Sequence, residues 1–510
     1  VSSREVPLSA RVVVDPAAKI AAVGRRLFGS FVEHLGRCVY TGIYEPDHPT
    51  ADDDGFRRDV LALTEELGVS VVRYPGGNFV SNYRWEDGVG PREHRPVRRD
   101  LAWRTIETNE IGLDEFVTWA GRAGVEPMLA VNLGTRGVAE ALDLLEYANH
   151  PSGTALSDRR VRNGAPDPHG VRLWCLGNEL DGPWQTGHKT AAEYGRLAAE
   201  TARAMRQAEP DLELVACGSS GSSMPTFGSW EATVLEEAYD VVDYISLHAY
   251  YEEHDGDPAT FLASSVDMDR FIDAVVATAD HVRAKLGVSK RIHLSFDEWN
   301  VWYLSRFQSE GPEPGWPRAP RLLEDTYNVT DAVVVGSLLI SLLRHADRVA
   351  VACQAQLVNV IAPIMTEPGG PAWRQTIFHP FAATARHASG DVLRLAVEAP
   401  TYETERFGEV PLVDAVATRD DEGAVLFVVN RSLEREVALT VDVRPLGSVA
   451  VAECLQLADA DRHARNTAEA PDRVRPRRVS LDAPPADGEL TMALPPVSWT
   501  MVRLVASPGS

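Results

Sequence analysis

Up to about residue 385, apolar runs of strand length recur along the chain, each breaking into a polar loop, and stretches with apolar residues at helical spacing lie between them. The runs fall at 28–34, 71–76, 127–133, 172–177, 212–218, 242–249, 291–296 and 348–357. The helical stretches fall at 53–67, 112–124, 139–148, 191–207, 229–237, 264–286 and 328–344. Gly68, Gly124 and Gly287 close three of these stretches and suit the left-handed residue that ends a helix. Strands alternating with helices predict parallel pairing. Eight of them predict an α/β fold of the (β/α)8 TIM barrel type, whose chemistry sits at the strand C-terminal ends.

From about Gly390 the pattern shortens. The apolar runs 424–429, 437–441 and 490–494 are separated by turn residues, with no amphipathic stretch of helix length. This predicts a C-terminal all-β sandwich, jelly-roll-like, and the N-terminal run 10–15 is expected to pair into it. The expected division is a catalytic barrel over 21–385 and a β-sandwich domain built from 1–20 plus 386–510. The segment 305–323, rich in Gly, Pro and Trp, is expected to form a long irregular wall or lid beside the seventh strand.

Composition sets limits around this outline. A chain of 510 residues can fill two cores, and 44% hydrophobic with 24% charged residues is ordinary for a soluble globular protein. A net charge of −24 lacks the basic face a nucleic-acid binder needs, and reads as a solubility feature. No apolar stretch approaches the ~18 residues of a membrane span, and no basic segment leads into an apolar run of signal-peptide length. Cys38, Cys175, Cys217, Cys353 and Cys454 are odd in number, widely spaced and mostly inside predicted strands, where a thiol acts as a small apolar group. A reducing, cytoplasmic location is therefore expected. Secretion stays open as an alternative, because the sequence starts at Val1.

Two carboxylates change the picture most. Glu179 follows Trp174-Cys175-Leu176-Gly177-Asn178 and Glu298 follows Ser295-Phe296-Asp297, so both lie at strand C-terminal ends, about 120 residues apart. Either acid alone suits a solvated surface role. As a pair on the working face of a barrel, flanked by aromatic and amide residues, they suit cleavage of a glycosidic bond. Strand alternation turns Asp297 to the opposite side from Glu298 and leaves it a supporting role at most. Trp103, Trp302 and the Trp184 loop offer flat apolar faces for a sugar ring. His34 and His248 show no metal-ligand spacing with neighbouring acids, and no HExxH, paired CxxC or P-loop string occurs. Glycosidic cleavage of this kind needs no cofactor, so neither metal nor cofactor is expected.

The segment Trp174-Cys175-Leu176-Gly177-Asn178-Glu179-Leu180-Asp181-Gly182-Pro183-Trp184-Gln185, continued by His188, Lys189 and Glu193-Tyr194, resembles the acid/base segment of family 51 α-L-arabinofuranosidases, in the large retaining barrel clan of glycoside hydrolases. Further segments resemble the same family in the expected order: Arg73-Tyr74-Pro75-Gly76-Gly77-Asn78-Phe79, Trp103-Arg104-Thr105-Ile106-Glu107-Thr108-Asn109, Asp297-Glu298-Trp299-Asn300-Val301-Trp302-Tyr303 and Ala355-Gln356-Leu357-Val358-Asn359-Val360-Ile361-Ala362-Pro363. The resemblance implies a barrel with a β-sandwich. It also implies a retaining, exo-acting enzyme that removes terminal non-reducing α-L-arabinofuranosyl residues from arabinoxylan, arabinan or their oligosaccharides. An endo-β-glucanase or xylosidase on the same scaffold, and a non-catalytic carbohydrate-binding protein, are the alternatives.

By the same resemblance Glu179 is the general acid/base and Glu298 the nucleophile, with Arg73 supporting the nucleophile. The acid then needs a raised pKa and the nucleophile must stay ionised. Retention predicts carboxyl groups about 5 to 5.5 Å apart, inversion about 6.5 to 9.5 Å. Asn178 is implied at the sugar 2-hydroxyl beside Glu179, which requires the strand to kink or end, as Gly177 permits. Glu33, Asn78, Tyr250 and Gln356 are implied as polar sugar contacts. Tyr251 and His248 compete with Tyr250 for that place, His248 otherwise supporting the site, and Gln354 competes with Gln356. The partners implied are an arabinofuranosyl-containing saccharide and further copies of the chain, a homo-oligomer such as a hexamer, with no nucleic acid and no membrane.

Overall fold

A computed structural model describes residues 8–310, 314–481 and 488–507. Residues 1–7, 482–487 and 508–510 of the expected sandwich, and 311–313 of the expected wall, lie outside the described residues. Eight parallel strands close into a barrel: β1 Gly29–Phe31, β2 Val71–Tyr74, β3 Glu126–Ala130, β4 Leu173–Leu176, β5 Glu213–Ala216, β6 Tyr244–Tyr251, β7 His293–Val301 and β8 Val349–Gln354. Closure runs through β8 and β1, with Cys353 opposite Gly29 and Gln354 opposite Ser30. All eight coincide with apolar runs of the sequence.

The alternation that marks these strands also sorts their side chains. In β4, Leu173 and Cys175 turn into the barrel to meet Val71, Met128, Val215, Val351 and Cys353. Trp174 and Leu176 turn outward into the core beneath the helices. Gly29 marks how narrow the interior is: a Cβ there would lie 2.6 Å from the Ala352 carbonyl oxygen and 2.7 Å from Val71 Cγ1.

Helices Arg58–Leu67, Leu113–Ala123, Val138–Asn149, Ala191–Ala208, Ser229–Ala238, Ser264–Leu286, Val329–Arg344 and Phe378–His387 follow the strands in turn. Gly68, Gly124 and Gly287 end three of them in the left-handed conformation, with φ of 80°, 67° and 66°. Phe378–His387 has no counterpart among the sequence expectations. It is ten residues long and carries Pro380 in its first turn, where the missing N–H costs nothing but where proline reads as a helix breaker. The expected wall at 305–323 begins as a short helix, Leu304–Glu310.

Val329–Arg344 is mostly apolar and buried at every position from Val329 to Leu343. A helix with no solvent-exposed face has to be covered on every side. Here the barrel covers one side and the β-sandwich the other. The sandwich consists of a four-stranded sheet, into which Leu8–Val13 pairs parallel to Val437–Asp442, and a seven-stranded sheet, whose edge is Lys19–Ala22 beside Asp391–Leu393. The run 424–429 is continuously apolar because its sheet is buried on both faces. Leu426 and Val428 face the other sheet, while Phe427, Val429 and Trp499 join the barrel core.

Charge pairs fix this docking. Arg431 of the sandwich donates to Asp414 at 2.7 Å, and to Ser265 and Ser337 of two barrel helices at 2.8 and 3.1 Å. Arg344 of the buried helix donates to Asp269 at 2.7 Å and also pairs with Asp414. A hairpin of the C-terminal region, Thr401–Thr404 with Gly408–Pro411, pairs only with itself and lies on the barrel. There the Tyr402 hydroxyl donates to the Ala259 carbonyl at 3.0 Å and the Glu405 N–H to Thr260 Oγ1 at 3.2 Å. Among the described residues no helix is long and apolar enough to cross a membrane.

The contact of Gly336 with Trp499 makes the interface sensitive to one methyl group, since a Cβ on Gly336 would run into the indole. Overpacking costs about 1 to 3 kcal/mol, against a helix gain of about 0.5 to 1 kcal/mol from replacing glycine. Gly336→Ala is therefore expected to lower Tm by about one or two degrees in a thermal melt. Gly121→Ala, at a helical position with open space around it, is expected to leave Tm level or raise it slightly.

Candidate active site

Both acidic segments depart from regular strand geometry at the point where their side chains are needed. β4 ends at Leu176. Gly177 and Glu179 then take positive φ, 94° and 45°, so the chain turns and the adjacent Asn178 and Glu179 both reach the barrel mouth. Left-handed backbone at a non-glycine residue costs about 1 kcal/mol or more and is typical of functional positions.

In β7 the departure is a bulge. Ser295 pairs with Ser246 and Glu298 with His248, three steps on β7 against two on β6. On the other side Phe296 pairs with Ala352 and Trp299 with Gln354, again three against two. One extra residue therefore sits between Phe296 and Glu298. The expectation that Asp297 points away from Glu298 fails for this reason: a bulge resets the alternation, and both acids turn into the site.

Arg73, at the mouth end of β2 and fully buried, lies between them. Its guanidinium donates to Glu298 Oε1 at 2.7 Å and to Asn178 Oδ1 at 2.6 Å, stands 3.8 Å from Asp297 Oδ2, and lies over the Phe31 ring at 5.0 Å. The Tyr250 hydroxyl donates to Glu298 Oε2 at 2.6 Å. His248 Nδ1 contacts Glu179 Oε1 at 2.8 Å and its Nε2 contacts Asp297 Oδ1 at 3.0 Å. Trp184 Nε1 donates to Glu179 Oε2 at 2.8 Å. Single ligand atoms of Glu179, His248 and Glu298 all lie within 4.8 Å of one another, a clustering that spacing along the chain does not suggest.

A second group of hydrogen bonds centres on Glu33. Its Oε1 accepts from the Phe79 N–H and from Trp103 Nε1, both at 2.9 Å, and its Oε2 from Gln356 Nε2 at 3.0 Å. Gly76 and Gly77 make room for it. A Cβ on Gly76 would run into Glu33 Cγ, and one on Gly77 would lie 3.0 Å from Glu33 Oε2 and 3.3 Å from Glu298 Oε1. Asn78 accepts from Asn178 Nδ2 at 3.3 Å and from Gln185.

The charges divide unevenly. Burial disfavours a charged His248, but Glu298, Asp297 and Glu179 outweigh it and push its pKa up to about 10. The imidazole is thus a cation donating from both nitrogens. Burial also favours a neutral Glu179, yet the His248 hydrogen bond and charge, the Trp184 indole and Arg73 hold it below the usual range. The expected raised pKa of the acid is therefore not found, because the neighbouring imidazolium already carries the proton. Glu33 behaves oppositely: burial, resisted by its N–H donors, pushes it up to about 8.

The mouth opens into a cavity of about 680 Å³. Glu33, Asn78, Trp103 and Gln356 line it with Glu179 and Glu298, as do His248, Tyr250, Tyr251 and Trp302. Tyr250 is the tyrosine bonded to Glu298, and Trp302 packs edge-on against it at 5.0 Å. Arg73 and Asn178 lie beneath this lining, and Gln354 is turned away to donate to Asn300 Oδ1 at 3.1 Å. His34 is also behind the wall, between Glu107 at 2.9 Å and Tyr74 at 2.8 Å. Sequence reasoning passed over Gln185, although it closes the quoted acid/base segment, and Arg406, which reaches the cavity from the Thr401–Pro411 hairpin.

Comparison with known proteins agrees with this fold. The model of the α-L-arabinofuranosidase 1 domain matches residues 63–272, and that of the α-L-arabinofuranosidase C-terminal domain matches residues 297–498. An intracellular exo-α-(1→5)-L-arabinofuranosidase of Streptomyces lividans is 64% identical over 97% of this chain and 75% of its own length. An exo-α-(1→6)-L-arabinofuranosidase of Bifidobacterium longum is 55% identical over 97% of both. Among solved structures, a family 51 α-L-arabinofuranosidase from Bifidobacterium longum superposes with a TM-score of 0.94 at 52% identity, covering 98% of this chain and all of that one. With barrel, sandwich and the Glu179–Glu298 cluster in place, the chain belongs to the family 51 α-L-arabinofuranosidases.

Proposed function

We propose that this chain is a retaining, exo-acting α-L-arabinofuranosidase that removes terminal non-reducing arabinofuranosyl residues from arabinan, arabinoxylan or their oligosaccharides, with Glu298 as nucleophile and Glu179 as general acid/base. Exo-acting α-L-arabinofuranosidase activity is the activity of the named relatives. The observation that carries the mechanism is the approach of the two carboxylates, an oxygen of each within 4.8 Å. That closeness suits the short carboxyl separation of a retaining enzyme better than the wide gap of an inverting one.

The roles follow from what each acid touches. Glu298 is held by Arg73 and Tyr250, two donors that fix the direction of its carboxylate. Its oxygen bonds to the anomeric carbon as the glycosidic C–O bond breaks, and the electron pair leaves with the aglycone oxygen, which takes a proton from Glu179. Glu179 then draws a proton from water, the water oxygen attacks the anomeric carbon, and Glu298 departs. Two displacements restore the original configuration.

The proton for the first step is available at His248, 2.8 Å from Glu179. A bound sugar displaces water from Glu179 and so favours its neutral form. Glu33, Trp103 and Gln356 form a hydrogen-bonded wall near the nucleophile that suits a single terminal sugar. We extend to this chain the intracellular setting carried in the name of the Streptomyces relative. A homo-oligomer is likewise proposed, as is a division of the chain into a barrel over 21–385 and a sandwich domain from the two ends.

On 4-nitrophenyl α-L-arabinofuranoside, Glu298→Ala is expected to lower kcat on the order of 10⁴-fold or more. Added azide should partly rescue it as the glycosyl azide of inverted configuration. NMR of the wild-type reaction should show the retained anomer first, and an inverted first product would sink the assignment.

Glu179→Ala should slow oligosaccharide hydrolysis by about 10² to 10⁴-fold, and aryl substrates with good leaving groups much less. Azide should then give the retained glycosyl azide, which separates the two roles by product stereochemistry.

His248 also makes stability depend on pH. Its folded pKa of about 10 lies above the ordinary 6.5, so its contribution is fully present below about pH 6.5 and is lost as pH rises through 10. Thermal melts of His248→Gln should therefore fall well below wild type at pH 6, with the gap closing toward pH 10.

A further inference from the structure

The catalytic carboxylates occupy only part of their cavity. A volume of about 680 Å³ exceeds what one pentofuranose fills, and the lining extends from Glu33 past the acids to Arg406, His254 and Asp267. Arg406 is the contribution of the C-terminal hairpin, and nothing in the catalytic argument uses it.

We propose that Arg406 binds the leaving-group part of the substrate, so that the β-sandwich region supplies a specificity residue to an active site otherwise built by the barrel. The ligand class is a neutral saccharide extending beyond the scissile bond, recognised through hydroxyl and ring oxygens. This rests on the glycosidase reading above.

Three observations carry it. First, the side chain is held although half of it is exposed: Nη2 donates to Asp267 Oδ1 at 3.2 Å, and the guanidinium lies over the Phe407 ring at 5.4 Å. A long side chain already ordered loses less freedom on binding. Second, its platform is anchored to the barrel by the Tyr402–Ala259 and Glu405–Thr260 hydrogen bonds, with the Arg270 guanidinium also over the Phe407 ring at 5.7 Å. Third, a guanidinium has five N–H donors and no acceptor. Asp267 takes one and balances the charge, leaving donors that suit sugar oxygens better than a carboxylate-bearing ligand.

Position follows from topology. Asp267 lies in the helix after β6, the strand that supplies His248 and Tyr250, so Arg406 stands above the β6 sector. Glu33 follows β1, and Asn78 and Trp103 lie in the segment after β2. The terminal sugar bound at that wall would direct its aglycone away from it, across Glu179 toward the hairpin.

The test is kcat/KM for linear α-arabino-oligosaccharides of two to five units against 4-nitrophenyl α-L-arabinofuranoside, in wild type, Arg406→Ala, Arg406→Lys and Asp267→Asn. The ratio of oligosaccharide to aryl substrate is expected to fall about fivefold to tenfold in Arg406→Ala, mostly through KM. Arg406→Lys should recover part of it, and Asp267→Asn should lower it by less. An unchanged ratio in Arg406→Ala, or an equal fall on both substrates, overturns the proposal and leaves the glycosidase reading intact. Failure of the wild type to cleave the aryl arabinofuranoside would overturn the glycosidase reading first.

Discussion

Arg73 carries a full positive charge at a depth solvent does not reach, and a charge so placed costs several kcal/mol unless opposite charge meets it. Glu298, Asp297 and the Asn178 carbonyl oxygen meet it. The constraint acts across the barrel, since the arginine rises from β2, the amide follows β4, and the acids come from β7. Burying one guanidinium thus fixes the mutual placement of strands that are far apart in the chain. The ring of Phe31 beneath it, from β1, ties a fourth strand to the same charge.

Around that fixed cation the site distributes few protons among many acids. His248 is cationic because three carboxylates surround it, and Glu179 is anionic because His248 is cationic. Neither state is intrinsic to its residue. In the mechanism proposed above, esterifying Glu298 would remove one of the three charges that hold the proton on His248, and so would loosen the proton inventory just when Glu179 has to change from acid to base. On that proposal the chemistry of one glutamate would be coupled to the basicity of the other through an imidazole that touches no bond being broken.

The barrel was legible in the sequence because each strand is buried on both faces and reads as an apolar run bounded by turn residues. Most of its helices were legible because their apolar positions recur at helical spacing. Phe378–His387 was not, being short and starting around a proline. Motif resemblance brought Glu33, Asn78, Tyr250 and Gln356 to one cavity, and the pairing of Tyr250 with Glu298 separated it from its neighbour Tyr251. The orientation of Asp297 was illegible because a bulge is a property of two paired strands, while alternation is counted along one. The acid's pKa was illegible because it depends on a histidine 69 positions away. Arg406 lies in a polar hairpin with no local pattern, and only docking of the C-terminal region brings it to the barrel mouth.

The added residue in β7 also bears on how such a sequence can drift. A substitution at Ser295 or Phe296 changes the size of one side chain, and neighbouring packing can adjust. Loss of a single codon in that stretch would cancel the bulge and rotate the strand by half a turn, sending one of two adjacent acids into the helical layer while every residue type remained present. Inspecting such a variant for its functional residues would find them all and still misjudge it. In this strand, count is inherited information as much as identity.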